Sequence, residues 1–317
     1  MASDSRFRPA RITPLRPLHR PGFPVQFRYQ TADTRSRYWT DKGDRAPVYL
    51  EHFHLREMPF NLTPGARFLY FTAGHHAALE YLLFGIRQRK GFIVLTGEVG
   101  AGKTTLCRAL LRELEPTFKT ALILNPRLTE AQLLRLILIE LGLPTPRGDK
   151  LTLREQLNSY LLDEASRGND VVLIIDEAQA LSRDMLENIR LLSNLETESR
   201  KLLQILLVGQ PELKHLLNDH RLRQLRQRIT VYFHLQGMSS ADTEGYVRHR
   251  LTVAGADGRP TFDRRALTLV HEYSGGIPRQ VNTVCDMSLL AAYGRGERRI
   301  STATVQAAIE ELKGICQ

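Results

Sequence analysis

The sequence is poor in cysteine and tryptophan, and it contains no long apolar segment. Its 317 residues include three cysteines and one tryptophan, Trp39. The cysteines, at positions 107, 285 and 316, lie far apart and form no C-x-x-C pair, which argues against a zinc site or a disulfide framework. No run approaches the roughly 18–20 apolar residues that span a bilayer, and the N-terminus lacks the apolar core of a secretory signal. The three scattered cysteines fit a reducing, cytosolic compartment.

Positive charge is concentrated at the N-terminus. Residues 1–46 hold ten Arg or Lys and four Asp, so they account for +6 of the net charge of +10. This Pro- and Arg-rich segment has little periodicity and is predicted to be a disordered, solvated tail. The alternative is a basic arm for nucleic acid or an anionic membrane surface. Because the remaining residues carry only +4, the high charge is weak evidence that the folded body binds nucleic acid.

A phosphate-binding loop is predicted between a strand and a helix. Residues 92–96, FIVLT, read as a buried strand, and residues 97–104, GEVGAGKT, fit the pattern G-x-x-x-x-G-K-[ST]. Glycines let backbone N–H groups turn inward around phosphate oxygens, and the helix that follows adds its positive end. Lys103 is expected to reach the β- and γ-phosphates of ATP, and Thr104 to bind Mg²⁺. The residues predicted to bind the nucleotide are Gly97, Glu98, Val99, Gly100, Ala101, Gly102, Lys103, Thr104 and Thr105.

Two acids follow a second buried strand. The continuous apolar run of residues 171–175 is typical of a parallel sheet, and its carboxyl end is where open α/β sheets bind ligands. This is the Walker B pattern. Asp176 is predicted to hold the Mg²⁺ shell, and Glu177 to activate the attacking water as general base.

Four other polar residues are candidates for contact with the nucleotide. Gln210 follows the apolar strand 202–208 and is predicted beside the γ-phosphate, the alternative being a simple strand-end turn. Residues 221–228 contain four arginines, either on a solvated helix face or supplying a finger to a neighbouring subunit, with Arg226 and Arg228 favoured. Arg279 falls in the first turn of a predicted helix, where the helix dipole favours acids, so a phosphate-facing role is predicted.

Periodicity predicts an α/β body followed by helices only. A lead-in of aromatic and proline residues, 49–71, is expected either beside the nucleotide base or against the sheet. His52, His54, His75 and His76 are expected to be structural or exposed.

The predicted domains are a disordered tail (1–47), a nucleotide-binding domain (48–236) and a helical lid (237–317). The predicted strands are 92–96, 120–124, 171–175, 202–208 and 229–233, and the predicted helices are 75–87, 106–114, 129–141 (capped by Thr129), 153–167, 186–195, 241–254, 263–273, 278–293 and 301–313 (capped by Ser301).

The chain from Val48 to about Leu312 resembles the AAA+ ATPases of the ExeA/GspA type from bacterial secretion systems, and within them the shorter MshM-like members linked to MSHA-type pili. The motifs that carry the resemblance are YLEHFHLREMPFNLTP (49–64), TGEVGAGKTTLCRALL (96–111), LIIDEAQAL (173–181), LLVGQPEL (206–213), LRQRI (225–229) and GGIPRQVN (275–282).

The resemblance implies a five-stranded parallel sheet in the order 5-1-4-3-2 with a helical lid. It implies Gln210 as sensor 1, Arg279 as sensor 2 and an arginine of the LRQRI stretch as the finger. It also implies a homo-oligomer that works in the cytoplasm, peripherally at the inner membrane, with secretion or pilus assembly proteins as partners.

The sequence departs from this family in two places. ExeA-type proteins continue into a membrane span and a peptidoglycan-binding region, and those activities are not expected of this chain, which stops after the lid. Members usually begin Met-Tyr-Leu where this chain has Val48-Tyr49-Leu50. We therefore expect residues 1–47 to be absent from the native protein, which N-terminal sequencing from the native locus tests.

Two functions compete at this point. The favoured one is a Mg²⁺-dependent ATPase that assists assembly of a type IV (MSHA-like) pilus or a type II secretion machine. The alternative is a DNA-binding regulator of transposition, because the same body resembles the TnsC/TniB type, and the tail and Arg221–Arg228 would then contact DNA phosphates. Pilus and secretin genes nearby would support the first function, whereas a neighbouring transposase gene or salt-sensitive, ATP-dependent DNA binding would support the second.

Overall fold

The computed structural model describes residues 49–61, 66–143, 148–196 and 200–315. All of them belong to the second of two units into which the chain divides, Arg45–Gln317. The predicted tail, the expected start at Val48, Trp39 and Cys316 lie outside the described residues.

Five parallel strands form the central sheet. The strands are β1 (Phe92–Gly97), β2 (Phe118–Ile123), β3 (Asp170–Ile175), β4 (Leu203–Gly209) and β5 (Ile229–Leu235), in the order β2-β3-β4-β1-β5. The order implied by the family resemblance is confirmed, and so is the α/β class. The three inner strands, β1, β3 and β4, are buried almost along their whole length, as expected for strands covered on both faces, whereas β2 and β5 at the edges of the sheet are only partly buried.

Alternate residues of the strands enter two separate cores, one on each face of the sheet. In β1, Phe92 and Val94 belong to one core, and Ile93 and Leu95 to the other. All four side chains are almost completely buried. Full burial of such a side chain stabilises the fold by about 1.5–3 kcal/mol, so the strand residues stabilise the packing on both faces of the sheet.

Helices cover both faces of the sheet and continue into a C-terminal helical region. They are α1 (Leu50–Phe53), α2 (Ala73–Arg87), α3 (Lys103–Glu113), α4 (Glu130–Glu140), α5 (Lys150–Ser166), α6 (Arg183–Leu192), α7 (Pro211–Leu217), α8 (Arg223–Arg228), α9 (Ser240–Val253), α10 (Arg264–Ser274), α11 (Pro278–Gly294) and α12 (Thr302–Ile315). In the described ranges, none of these helices is both long and apolar enough to cross a membrane.

Two predicted helix caps are present. The Thr129 hydroxyl accepts a hydrogen bond from the Gln132 backbone N–H, and the Gln132 side chain accepts one from Thr129 N–H in return. This reciprocal capping box satisfies two backbone donors at the start of α4. The Ser301 hydroxyl accepts a hydrogen bond from Thr304 N–H at the start of α12. Both caps were predicted from residue type and position and are confirmed.

The C-terminal helical region, α9 to α12, also contains two very short strands. β6 (Thr261–Phe262) and β7 (Arg299–Ile300) pair in parallel. The prediction of helices only was wrong here, because a two-residue strand leaves no detectable periodicity in the sequence.

Most of the lead-in segment packs on this helical region, whereas Phe71 near its end packs against one of the two cores of the sheet, as expected. Tyr49, Leu50, Phe53 and Phe60 are buried in one cluster with residues of α9, α10, α11 and α12. The expectation that the segment packs against the sheet is therefore wrong for these residues. An apolar side chain carries no information about which apolar surface covers it, since the hydrophobic effect has no direction.

Candidate active site

The P-loop has the backbone that its glycines permit. Gly100 has φ 81° and Gly102 has φ 99°, both in the left-handed region that other residues adopt at a cost. Gly102 is the N-cap of α3, and Lys103 is the first residue of that helix. The loop therefore joins β1 to a helix N-terminus, the arrangement that binds phosphate through backbone N–H groups and the helix dipole.

Lys103 points into the loop. Its ammonium donates hydrogen bonds to the backbone oxygens of Gly97 at 2.8 Å and Glu98 at 3.0 Å. Burial lowers the pKa of Lys103, while the nearby carboxylates of Glu177 and Asp176 act in the opposite direction. The side chain is thus a desolvated positive charge at the place where a nucleotide's phosphates would lie.

The two predicted metal ligands are in contact. The Thr104 hydroxyl donates to Asp176 Oδ2 at 2.6 Å, and the Glu177 backbone N–H donates to Asp176 Oδ1 at 2.9 Å. Hydroxyl and carboxylate oxygens suit Mg²⁺, which takes few protein ligands and completes its shell with waters and phosphate oxygens. The described ranges contain no cluster of three or more His, Cys, Asp or Glu side chains that could hold a metal by themselves. The donor set therefore fits a magnesium nucleotide and not a protein-only metal cage.

Glu177 lies in a small hydrogen-bonded group with two glutamines. Its Oε2 accepts from Gln179 Nε2 at 2.6 Å and from Gln210 Nε2 at 3.1 Å. Gln179 Oε1 accepts from the Gln210 backbone N–H at 3.0 Å. Glu177 has φ 54°, an unusual value for a residue with a side chain. The predicted general base and the residue predicted beside the γ-phosphate are thus directly linked. Gln179, which links them, was missed, although it lies within the DEAQ string.

A cleft of about 590 Å³ lies between the P-loop and the C-terminal helical region. Its volume is in the range of small-molecule sites. The lining includes most of the predicted site and several residues that sequence reasoning did not single out. Lining residues from the predicted site are Val99, Gly100, Gly102, Lys103, Thr104, Thr105, Glu177, Gln210 and Arg279; the others are Phe68, Leu69, Tyr70, His75, Tyr246, Arg250, Pro278 and Asn282. The chain brings these parts together from both the sheet and the helical region.

Arg279 lies against the P-loop. Its backbone N–H donates to the Gly100 carbonyl at 3.4 Å, and a side-chain carbon at Gly100 would collide with the Arg279 side chain. Pro278 is the first residue of α11, so Arg279 falls in the first turn, as predicted. The first turn of α11 thus places the cation of Arg279 in contact with the P-loop, which supports the prediction that Arg279 faces the phosphates.

His75 belongs to the cleft wall, which its residue type alone did not reveal. One ring nitrogen, Nδ1, lies 2.7 Å from the Thr72 hydroxyl, and Nε2 lies 3.3 Å from the Ala101 carbonyl oxygen in the P-loop. Burial lowers the pKa of His75. The ring of His75, whose neutral form burial favours, therefore connects α2 to the P-loop.

Arg250 holds the opposite wall of the cleft. Its guanidinium is fully buried and donates to the Tyr246 hydroxyl at 2.8 Å and to the Asn61 carbonyl at 3.1 Å. The Tyr246 hydroxyl donates in turn to Asn282 Oδ1 at 2.9 Å. The guanidinium lies over the Phe68 and Tyr246 rings, with centroids at 5.2 and 5.4 Å, which stabilises a desolvated cation. This network fastens the lead-in segment to α9 and α11.

Arg226 and Arg228 do not line the cleft of their own chain. Arg226 donates to the Asn218 carbonyl at 3.3 Å, and Arg228 to the Ser193 hydroxyl at 2.8 Å. They precede β5, whose first residue pairs with Phe92, the first residue of β1. The P-loop begins at Gly97, the other end of β1. Gly97 is five residues beyond Phe92, and a strand rises about 3.3 Å per residue, so the two ends of β1 are about 16 Å apart. Neither arginine therefore reaches the P-loop within one chain.

A family model described as an AAA domain matches residues 86–217. The match covers β1 to β4 with the P-loop and the two acids after β3. The chain is a P-loop ATPase with an AAA domain.

One curated relative matches most of this ATPase. It is the General secretion pathway protein A of Aeromonas hydrophila, 44% identical over 269 residues, which are 84% of this chain and 49% of that protein. The resemblance to ATPases of the ExeA/GspA type is confirmed, whereas the narrower MshM-like assignment stays a prediction. The chain spans about half the length of the relative.

Solved structures share the fold of the ATPase. The ORC2 protein of Aeropyrum pernix in its ADP form matches with a TM-score of 0.58 and 18% identity, over 80% of this chain and 72% of that one. A Walker-type ATPase of Pyrococcus abyssi matches with a TM-score of 0.57 and 17% identity, over 82% and 77%. At such low identities the likeness concerns the fold alone.

Proposed function

We propose that the ATPase binds Mg²⁺-ATP in the cleft, hydrolyses it in an oligomer, and uses the cycle to assist assembly of a type II secretion machine or a type IV (MSHA-like) pilus. The observation that carries the hydrolysis proposal is the position of the Glu177 carboxylate, which lines the same cleft as Lys103 and Thr104. A cleft with phosphate-binding groups alone would bind a nucleotide, whereas a carboxylate within it can also activate water.

The phosphates are held by the P-loop backbone from Gly97 to Thr105. The N-terminus of α3 adds its dipole, and Lys103 reaches the β- and γ-phosphates. Mg²⁺, held by Thr104 and Asp176, supplies charge neutralisation at the phosphate oxygens when it is bound. These residues all contribute electrostatic stabilisation, which is the main protein contribution to phosphoryl transfer.

Water activation belongs to Glu177, with Gln210 beside the γ-phosphate. Gln210 connects the tip of β4 to the base, so loss of the γ-phosphate changes the surroundings of both side chains. Arg279 connects the same phosphate to α11 and, through it, to the helical region, which acts as a lid over the cleft. Hydrolysis is thereby coupled to movement of the lid.

A neighbouring subunit completes the site. Arg226 and Arg228 lie too far from their own P-loop to contact its phosphates, which supports a role in trans as arginine fingers. Such a finger contributes about 10³-fold or more to the hydrolysis rate in related chemistry. Turnover is therefore expected to require an oligomer, and a monomer with full turnover would refute this part of the proposal.

The proposed cellular role follows from the relative, whose name assigns it to a general secretion pathway. We propose that this ATPase works in the cytoplasm, at the inner-membrane face, through secretion or pilus assembly proteins. Since the relative is about twice as long as the matched region, its further activities are not included.

Two variants test the proposed reaction. Lys103→Ala is expected to abolish ATP binding, because it removes the cation at the phosphates. Glu177→Gln is expected to bind ATP normally, lose hydrolysis and accumulate as the assembled oligomer. Lys313→Ala, an exposed lysine in α12, serves as the control and should match the wild type. Nucleotide titration, phosphate release and gel filtration with ATP and Mg²⁺ measure these outcomes; full turnover by Glu177→Gln would contradict the assignment of the base.

The same Glu177→Gln protein tests the cellular role. Bound to ATP, it is expected to retain inner-membrane secretion or pilus components in a pull-down from its own cell. If it instead retains duplex DNA in an ATP-dependent and salt-sensitive way, the role in secretion or pilus assembly is contradicted and the transposition-type regulator is favoured.

A further inference from the structure

Gln179 connects the ends of two adjacent strands of the sheet. It lies in a single 3-10 turn, Ala178–Ala180, immediately after Glu177 at the carboxyl end of β3. Its partner Gln210 follows β4, which pairs with β3 in parallel. Gln179 is half-buried, so its amide lies inside this edge and not in bulk solvent.

Both halves of the Gln179 amide are used. The nitrogen donates to Glu177 Oε2 at 2.6 Å, and the oxygen accepts from the Gln210 backbone N–H at 3.0 Å. A side-chain amide carries a donor and an acceptor on one planar head, whereas a carboxylate has only acceptors and an ammonium only donors. The position therefore requires an amide of glutamine length for both contacts.

The sheet leaves room for this amide at Gly209. A side-chain carbon at Gly209 would lie 2.8 Å from Gln179 Oε1, closer than real side-chain carbons approach such an atom. Gly209 is the last residue of β4 and does not have positive φ. The Gln179 side chain can occupy this place because Gly209 has no side-chain carbon, and not because of the backbone conformation of Gly209.

Glu177 receives its hydrogen bonds on one oxygen. Within the described residues, the Gln179 and Gln210 amides both donate to Oε2. Oε1 accepts no hydrogen bond from these two side chains and is the oxygen available to a water molecule. The two amides thus fix the carboxylate in one orientation. They do so at a residue whose left-handed backbone conformation is unfavourable by itself.

We propose that Gln179 is a positioning residue for ATP hydrolysis, which holds the Glu177 carboxylate and ties it to the β4 tip that carries Gln210. The inference rests on the proposed function, because it gives Gln179 its role through the general base. It adds a structural connection between Gln210 and the base. A displacement of Gln210 at the γ-phosphate would move Gln179, which accepts a hydrogen bond from the Gln210 backbone N–H, and Gln179 would in turn move the Glu177 carboxylate. Misplacement of a catalytic group by about 1 Å can cost about 10²-fold in rate.

Two substitutions separate the contacts. Gln179→Glu keeps the length and the oxygen that faces Gln210, but it replaces the donor to Glu177 with a second negative charge. Gln179→Met keeps the approximate length and removes both hydrogen bonds. Gln88→Glu, at an exposed position at the end of α2, adds the same charge away from the cleft and is the matched control.

We expect kcat to fall at least tenfold in both Gln179 variants while the Kd for ATP stays within twofold of the wild type. The control should match the wild type in both values. Gel filtration and thermal unfolding establish that each variant is folded. A kcat within twofold of the wild type in both Gln179 variants would overturn the inference, as would an equal loss in Gln88→Glu or a weakening of ATP binding in step with the rate.

A double-mutant cycle then distinguishes positioning from general damage. In a Glu177→Gln background, Gln179→Glu is expected to cause no further loss of the single-turnover rate, since its effect acts through the missing base. Independent, multiplicative losses would refute the positioning role. The proposed function has its own failure: if Glu177→Gln hydrolyses ATP like the wild type, the base assignment fails and this inference with it. If only the Gln179 variants remain fully active, the inference alone fails.

Discussion

The turn before α11 offers a sharp test of how the chain sets the position of Arg279. Gly276 has φ 69°. A side-chain carbon there would lie 2.8 Å from the Met238 backbone nitrogen and closer still to the Met238 carbonyl oxygen. Gly296 has nearly the same φ, 66°, but a side-chain carbon there would meet no atom within 4 Å. The pair thus separates backbone strain from steric exclusion.

The expected difference follows from the contacts. Both alanine variants carry the left-handed backbone cost of about 1–2 kcal/mol. Gly276→Ala must also disrupt the hydrogen bond from Met238 N–H to the Gly276 carbonyl, 2.9 Å long, at about 1 kcal/mol. Displacement of packed backbone adds about 1–3 kcal/mol. We therefore expect Gly276→Ala to lose about 2–4 kcal/mol more unfolding free energy than Gly296→Ala.

Urea unfolding followed by circular dichroism measures both losses on the same protein. The KM for ATP should rise in Gly276→Ala, because the start of α11 carries Arg279 to the P-loop, and should stay unchanged in Gly296→Ala. Equal unfolding free energies for the two variants, within about 0.5 kcal/mol, would refute the argument that steric exclusion at Gly276 sets this turn.

Three further predictions concern stability. Arg250→Met should lower the unfolding free energy by about 1–3 kcal/mol, measured by urea unfolding, because the Asn61 carbonyl loses a buried donor. Burial holds the pKa of His75 below its ordinary value, so on acidification the unfolded chain takes up a proton at His75 before the folded chain does. The unfolding free energy should therefore decrease as the pH drops through about 6.5. Thermal unfolding between pH 8 and 5 should show a smaller decrease in His75→Gln. Leu206→Ala, in the fully buried centre of β4, should cost about 2–5 kcal/mol, whereas Leu290→Ala, 45% exposed, should change stability by less than about 0.5 kcal/mol; similar losses for the two would contradict the burial assigned to them.

The phosphate-binding loop could be predicted from the sequence because its determinants are local. Its glycines, Lys103 and Thr104 are adjacent in the chain, and the loop needs only the strand before it and the helix after it. The Walker B acids were predictable for the same reason, since they end a continuous apolar strand. The order of the five strands was implied by the family resemblance and not by periodicity, which contains no information on which strands are neighbours.

The wall opposite the P-loop was not predictable in this way. His75, Tyr246 and Arg250 are separated from the loop by many residues, and their residue types are also common at structural positions. Arg250 was not singled out because an arginine in an amphipathic helix usually faces solvent. Its burial depends on the aromatic ring of Phe68 and the carbonyl of Asn61, which the fold brings from the lead-in segment.

By itself, the sequence determined that this chain has a nucleotide-binding loop and two acids directly after a buried strand, because each of these features depends on a few consecutive residues. Only the tertiary structure decided that the lead-in segment joins the C-terminal helices, that Arg279 touches Gly100, and that Gln179 links Glu177 to Gln210. Those contacts join strand ends and helix starts that are distant in sequence. Their distances depend on how the sheet and the helical region pack, which the hydrophobic pattern of a single chain does not specify.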